Sequence, residues 1–396
     1  SQRGAAMPPS PIRKLVPYAE EAKRRGITVY HVNIGQPDIE SPDAFLEAYR
    51  EHDLKVVAYG HSAGLWEYRD QLVRYYARHD VTVSSDEIVV TTGGSEAIIF
   101  AFLAVCDPGD EVIIPEPFYT NYLGFAMEAG VTVVPVTCRI EDGFALPPVA
   151  ELAAKITPRT RAIMICSPNN PTGYVYTDEE LMALRDLVVE RDLYLLADEV
   201  YREFAFDGGK ARSVLTLSGI DDRAVMLDSI SKRYSACGAR VGCVVTRNRE
   251  ILDACLRMGQ ARLCPPTIEQ MAAARAVDTP PEYLERVHAE YQARRDAVFE
   301  ELAKIEGVVA PVPGGAFYAV ARLPIEDADH FARWLLEEFD DSGETVMVAP
   351  AAGFYATPGL GRDEIRIAFV LHVESMRRAM QILNTGLAAY KASGLS

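Results

Sequence analysis

Ala224-Val-Met-Leu-Asp-Ser-Ile-Ser-Lys232, followed closely by Gly238-Ala-Arg-Val-Gly-Cys-Val-Val-Thr246, reads as two apolar runs around a serine- and glycine-rich turn. Short, uninterrupted, valine-rich runs are the pattern of strands buried on both faces of a sheet. Runs of the same kind recur upstream at 87–91, 111–114, 131–136, 161–166 and 193–197. Helical patterns lie between several of them, for example at 95–105 and 178–191. The second of these is preceded by Thr177, with Glu180 three positions on, the spacing of a capping box. This alternation predicts an α/β fold with a mostly parallel seven-stranded sheet.

Further outward the character changes. A long charged helical pattern at 282–305 is followed by Gly314-Gly315, a strand at 317–321, a helix at 328–339, a strand at 364–370 and a last helix. That order predicts a smaller α+β domain. The 396 residues exceed what one core usually takes. We therefore expect a large domain over 46–288, a small domain built from 11–45 and 289–396, and an N-terminal extension over 1–10.

Composition narrows the class of partner. A net charge of −17 disfavours nucleic acid and anionic membranes, which need a basic face. No apolar run approaches the roughly 20 residues of a membrane span, and residues 1–11 lack the pattern of a secretory signal. The seven cysteines are odd in number, form no CxxC and mostly sit in apolar runs, as in a reducing compartment. A cytoplasmic protein is expected. The histidines show no metal-ligand spacing, so no metal is expected.

In open α/β sheets, ligands bind beyond the carboxyl ends of the strands. Four turns there carry unusual chemistry. Gly93-Gly94-Ser95 opens a helix, whose free N–H groups suit an anion. Ser167-Pro-Asn-Asn170-Pro-Thr-Gly173 is a rigid polar turn. Asp198-Glu-Val-Tyr201 sets a carboxylate at the end of a buried run. The fourth turn carries Ser229, Lys232 and Arg240. Each turn alone has an ordinary structural reading, as a loop, a cap or a solvated lysine. Of eight lysines, Lys232 alone sits at a strand end in a Ser- and Gly-rich turn. Together the turns offer a phosphate nest, an arginine able to grip it bidentately, a carboxylate and an amine that condenses with aldehydes. That set suits pyridoxal 5'-phosphate (PLP).

On these residues the chain resembles the class I aminotransferases, within the aspartate aminotransferase superfamily of fold-type I PLP-dependent enzymes. The resemblance covers nearly the whole chain and is most specific at Ser229-x-Ser-Lys232 and Gly238-x-Arg240-x-Gly242. It implies that Lys232 carries PLP as a Schiff base and that Gly94, Ser95, Ser229 and Arg240 hold the phosphate. Asp198 would face the pyridine nitrogen, while Asn170 and Tyr201 would reach the phenolate oxygen. Tyr119 matches the aromatic that stacks on the cofactor ring. Tyr59 matches a tyrosine that reaches the neighbouring subunit's phosphate, which implies a homodimer with shared sites. Arg366 and Gly35 match the residues that receive the substrate α-carboxylate. Cis bonds are expected before prolines such as Pro117 and Pro171. The implied activity is transfer of an amino group from an L-amino acid to a 2-oxo acid.

The donor side chain stays open. Arg262 lies near where members of the family deliver an arginine from the partner subunit, and the resemblance makes it a candidate for the distal carboxylate of aspartate or glutamate; Phe118, Tyr119, Phe317, Phe354 and Tyr355 favour an aromatic donor. β-Elimination, decarboxylation or oxidation on the same scaffold, and a non-catalytic ligand sensor, are the alternatives.

Overall fold

The computed structural model describes residues 1–8 and 10–394. Its first strands are β1 (Thr28–His31), β2 (Ile88–Thr92), β3 (Glu111–Glu116), β4 (Thr132–Thr137), β5 (Thr160–Cys166) and β6 (Tyr194–Asp198). They are followed by β7 (Ala224–Ser229), β8 (Val241–Thr246), β9 (Tyr318–Arg322), β10 (Glu344–Met347), β11 (Ala349–Pro350) and β12 (Glu364–Ala368).

Seven strands form the central sheet in the order β2-β8-β7-β6-β5-β3-β4. All run parallel except β8, which is antiparallel to both its neighbours. The absence of polar alternation is explained by burial on both faces: every residue of β3, β7 and β8 is buried. Side chains such as Ile163, Leu195 and Val225 are wholly inaccessible, and each such burial stabilises the fold by about 1.5–3 kcal/mol. Helix Gly93–Val105 packs across β7 and β8. Helix Asp178–Glu190 begins with the capping box: Glu180 N–H donates to Thr177 Oγ1 (3.2 Å), and Thr177 N–H donates to Glu180 Oε2 (2.7 Å).

The reversal of β8 shapes the site. Because it runs against its neighbours, its beginning lies at the edge where β2 and β7 end. Val241 pairs with Thr92, and Gly242 pairs with Ser229. Arg240, Gly93 and Lys232 are thereby drawn to one rim of the sheet.

The C-terminal strand patterns correspond to β9 and β12, which pair antiparallel, with β11 on the other side of β12. A further two-stranded sheet joins β1 in parallel to β10, across more than 300 residues. β1 and β10 are short, with only partial burial in β1, and carry little periodic signal. Helices Pro281–Leu302 and Val373–Ala392 pack on each other. Cis peptides precede Pro117 and Pro171, as expected, and also Pro168. All seven cysteines are free. Among the described residues, no helix is long and apolar enough to cross a membrane, and no His, Cys, Asp or Glu cluster suits a metal.

Candidate active site

Beyond the rim of the central sheet lies a cavity of about 570 Å³. Gly35, Gly94, Ser95, Tyr119, Asn170, Asp198, Tyr201, Ser229, Lys232, Arg240 and Arg366 all line it, although they come from segments spread over more than 300 residues. Among the described residues, the cationic side chains at its wall are Arg13, Lys232, Arg240 and Arg366, and the only carboxylate is Asp198. The local charge is thus opposite to that of the whole chain, which suits anionic ligands.

Lys232 sits on a single helical turn, Ile230–Arg233, capped by Ser229, whose Oγ accepts from Ser231 N–H (3.1 Å) and donates to the Val241 carbonyl (2.8 Å). On one side of Lys232, the buried Arg233 pairs with Asp228 (3.0 Å). Tyr76 Oη also donates to Asp228 (2.9 Å), and Asp228 in turn accepts from Ser229 N–H (2.8 Å). Burial alone would raise the Asp228 carboxyl, but Arg233 and Arg202 outweigh it and hold it ionised below its usual value. This buried knot fixes the turn from below. Lys232 Nζ points the other way, donating to the Gly35 carbonyl (2.9 Å) about 5.9 Å from the centroid of the Tyr201 ring.

Asp198 ends β6 and is buried. Its partners are Tyr122 Oη (2.7 Å) and, more distantly, Val200 N–H (3.4 Å). Among the described residues it forms no ion pair, and burial pushes the carboxyl up to about 6. Tyr201 Oη meets Tyr318 Oη at 2.8 Å. A side chain at Gly35 would collide with Tyr318, which explains the glycine. Burial pushes the Tyr119 phenol up to about 12, so it stays a neutral aromatic wall.

Arg240 adopts a left-handed backbone (φ 54°), and its Nη1 donates to the Cys237 carbonyl (2.9 Å). Its guanidinium lies where a side chain on Gly93 would point, and Gly242 is pressed against the Gly93 backbone, where an added Cβ would lie 2.5 Å from the carbonyl carbon. The glycines thus let an arginine reach the free N–H groups that open helix Gly93–Val105.

Arg366 lies on β12, 1% exposed. Nη1 donates to Asn170 Oδ1 (3.0 Å) and Nη2 to the Asn33 carbonyl (2.5 Å), while Nε has no partner. The rings of Tyr318 and Phe354 lie 4.6 and 4.8 Å from its central carbon. Burial draws its pKa below the usual value, with only tyrosines opposing. A desolvated guanidinium with an unpaired N–H and no carboxylate partner is a receptor for one.

Two candidates lie elsewhere. Tyr59 is 79% exposed and does not line the cavity of its own chain. Arg262 donates to the Val90 carbonyl (3.1 Å), and its Nε is 3.3 Å from Glu96, so its guanidinium is engaged behind helix Gly93–Val105. Phe118, Phe317, Phe354 and Tyr355 are buried packing residues that do not line the cavity, whereas Tyr119 does. Sequence reasoning assigned no role to Tyr122, Tyr318 or Asn33. Tyr122, three residues after Tyr119 at the start of a helix, carried a local hint; Tyr318 and Asn33 depend on long-range contacts.

The residues fit PLP. An amine stands between an anion nest and a buried carboxylate that lacks a cation, with an aromatic wall alongside. The chain matches the family model "Aminotransferase class I and II" over residues 28–383. It is 33% identical to the putative aminotransferase YugH of Bacillus subtilis, over 94% of each chain. It is 32% identical to the aspartate/prephenate aminotransferase of Thermus thermophilus, over 96% of this chain and 97% of that one. The solved aspartate aminotransferase of Thermotoga maritima superposes with a TM-score of 0.89 at 30% identity, covering 98% of this chain and 100% of that one. The chain belongs to the class I and II aminotransferase family and is a PLP-dependent aminotransferase.

Proposed function

We propose that the protein transfers the amino group of a dicarboxylic L-amino acid, aspartate or glutamate, to a 2-oxo acid, working as a homodimer. The observation that carries the reading is the convergence on one cavity of Lys232, Asp198 and Arg366, whose Nε has no partner among the described residues. Aspartate in the names of two of the relatives above supports the choice of donor.

PLP, when bound, supplies an electron sink that acidifies the Cα–H bond of an attached amino acid. Gly94, Ser95, Ser229 and Arg240 would hold its phosphate, and Asp198 its ring nitrogen. Arg366 binds the substrate α-carboxylate and, with Asn170 and Asn33 fixing its fork, sets the direction of Cα–H. Lys232 Nζ would take the proton from the substrate Cα and hold it as an ammonium proton. Its anchored turn and the Gly35 carbonyl keep that nitrogen in reach. Tyr119 and Tyr201 line the walls and limit water.

An interface is supported by exposed apolar residues. Val56, Val57, Tyr59 and Trp66 are all more than half exposed, and Ser62 ties their segment to Leu263, itself 50% exposed. An aromatic donor is a second reading, favoured by Ile12, Ile34 and Tyr119 in the wall. Absorbance of the PLP-loaded protein with single amino acids and no acceptor tests both. Aspartate should convert the cofactor with one equivalent of 2-oxo acid released, and Lys232→Ala should abolish that conversion. Turnover by the variant at the wild-type rate would overturn the role of Lys232. Faster conversion with phenylalanine than with aspartate would favour the second reading.

A further inference from the structure

We propose that Arg13 is the residue that selects a dicarboxylic substrate, by pairing with the carboxylate at the far end of its side chain; this rests on the dicarboxylate reading above. Of the four cations at the cavity wall, three have work at the reacting end. Lys232 carries the amine, Arg240 lies against the anion nest and Arg366 waits for the α-carboxylate. Arg13 remains. It is exposed and, among the described residues, pairs with no carboxylate.

The segment that brings it there is anchored. Arg13 N–H donates to the Ser10 carbonyl (3.2 Å), closing a turn. Pro11 packs on Gly353, where an added Cβ would lie 2.5 Å from the proline ring. Ile12 packs against the cluster of Ala349, Ala351 and Phe354, and Leu15 is buried. Lys14 pairs outward with Asp329. Flanked by these contacts, Arg13 is left facing the cavity.

The segment is also joined to the α-carboxylate receptor. Asn33, fully buried, donates from Nδ2 to the Ile12 carbonyl (3.4 Å), and its own carbonyl accepts from Arg366. Phe354 contributes to the Ile12 cluster and lies 4.8 Å from the Arg366 guanidinium carbon. The two arginines are thus held on one framework, as recognition of both ends of one short dicarboxylate requires. Arg262, engaged by Glu96 and the Val90 carbonyl, offers no such cation to its own cavity.

The experiment compares the PLP-loaded wild type with Arg13→Leu, Arg13→Lys and Lys14→Leu. It measures kcat/KM for aspartate, glutamate and alanine, and the dissociation constant of succinate, which has no amino group to react. The wild type should prefer the dicarboxylates. Arg13→Leu should lower the aspartate-to-alanine ratio at least about tenfold and weaken succinate by a similar factor, the lower range for a charged hydrogen bond because this side chain is exposed. Arg13→Lys should fall between the two, and Lys14→Leu should keep the wild-type ratio. A wild-type preference that survives Arg13→Leu, with succinate affinity intact, would overturn the assignment of Arg13 alone. A wild type with no preference for dicarboxylates would overturn the donor reading and Arg13 with it.

Discussion

Replacing Asp198 by Asn should stabilise the cofactor-free protein at neutral pH while weakening its hold on PLP. The carboxyl is buried and hydrogen-bonded by Tyr122, but Asp228 and Glu199 add negative potential nearby. Its pKa is pushed from 3.8 to about 6, and one unit corresponds to about 1.4 kcal/mol. Ionised, it therefore costs the protein alone about 3 kcal/mol. The sign follows from proton uptake: a raised carboxyl binds its proton more tightly in the folded state. Its favourable contribution is complete below about pH 4 and is lost as the pH rises through about 6. Asn keeps an oxygen for the Tyr122 hydroxyl and has nothing to ionise. Denaturant unfolding of the stripped proteins should thus show the variant gaining on the wild type between pH 4 and 6, then holding a lead of about 3 kcal/mol to pH 8. Adding PLP should narrow the gap, because a ring nitrogen held at Asp198, as proposed, would give the carboxylate a cation that Asn cannot use. A constant difference from pH 4 to 8 would show that Asp198 titrates as an exposed carboxylate, and would refute the reasoning.

Two further outcomes follow from the geometry. Arg366→Ala should lower kcat/KM about a hundredfold for every amino acid, since a buried charged contact of about 3 kcal/mol is lost, and Arg366→Lys should restore little, because lysine lacks the fork that Asn170 and Asn33 hold; steady-state kinetics over several donors checks this, and a loss confined to dicarboxylates would contradict it. Gly93→Ala should leave the fold intact but weaken PLP retention, measured by absorbance after gel filtration, because the added methyl meets the Arg240 guanidinium and the backbone there has φ +75°; unchanged retention would show that Arg240 has room to move.

The strand patterns and the chemistry at their ends were legible because each is local. A buried strand, its turn and the helix or loop after it occupy a few consecutive residues, so the turns carrying Gly93-Gly94-Ser95, Asn170, Asp198 and Ser229 to Lys232 could each be located locally, and their chemistry became legible when they were taken together. That β2 and β7 would flank a reversed β8, bringing Arg240 onto Gly93, is a matter of strand order and register between segments some 150 residues apart in the case of β2 and β8. The link from Asn33 to both Arg366 and Ile12 had no signature in the chain, since an asparagine between apolar residues reads the same whether it meets water or a guanidinium. Arg262 and Arg13 show the same limit from opposite sides. Both are arginines beside prolines and apolar residues, and the family resemblance singled out the first, as an arginine delivered from the partner subunit. Which one faces the cavity of its own chain was decided by tertiary packing: Glu96 draws Arg262 behind a helix, and Pro11, Ile12 and Leu15 seat the N-terminal segment so that Arg13 stands at the cavity wall. The direction of a long charged side chain depends on where its few strong partners lie, and those partners are set by the fold rather than by neighbours in the chain.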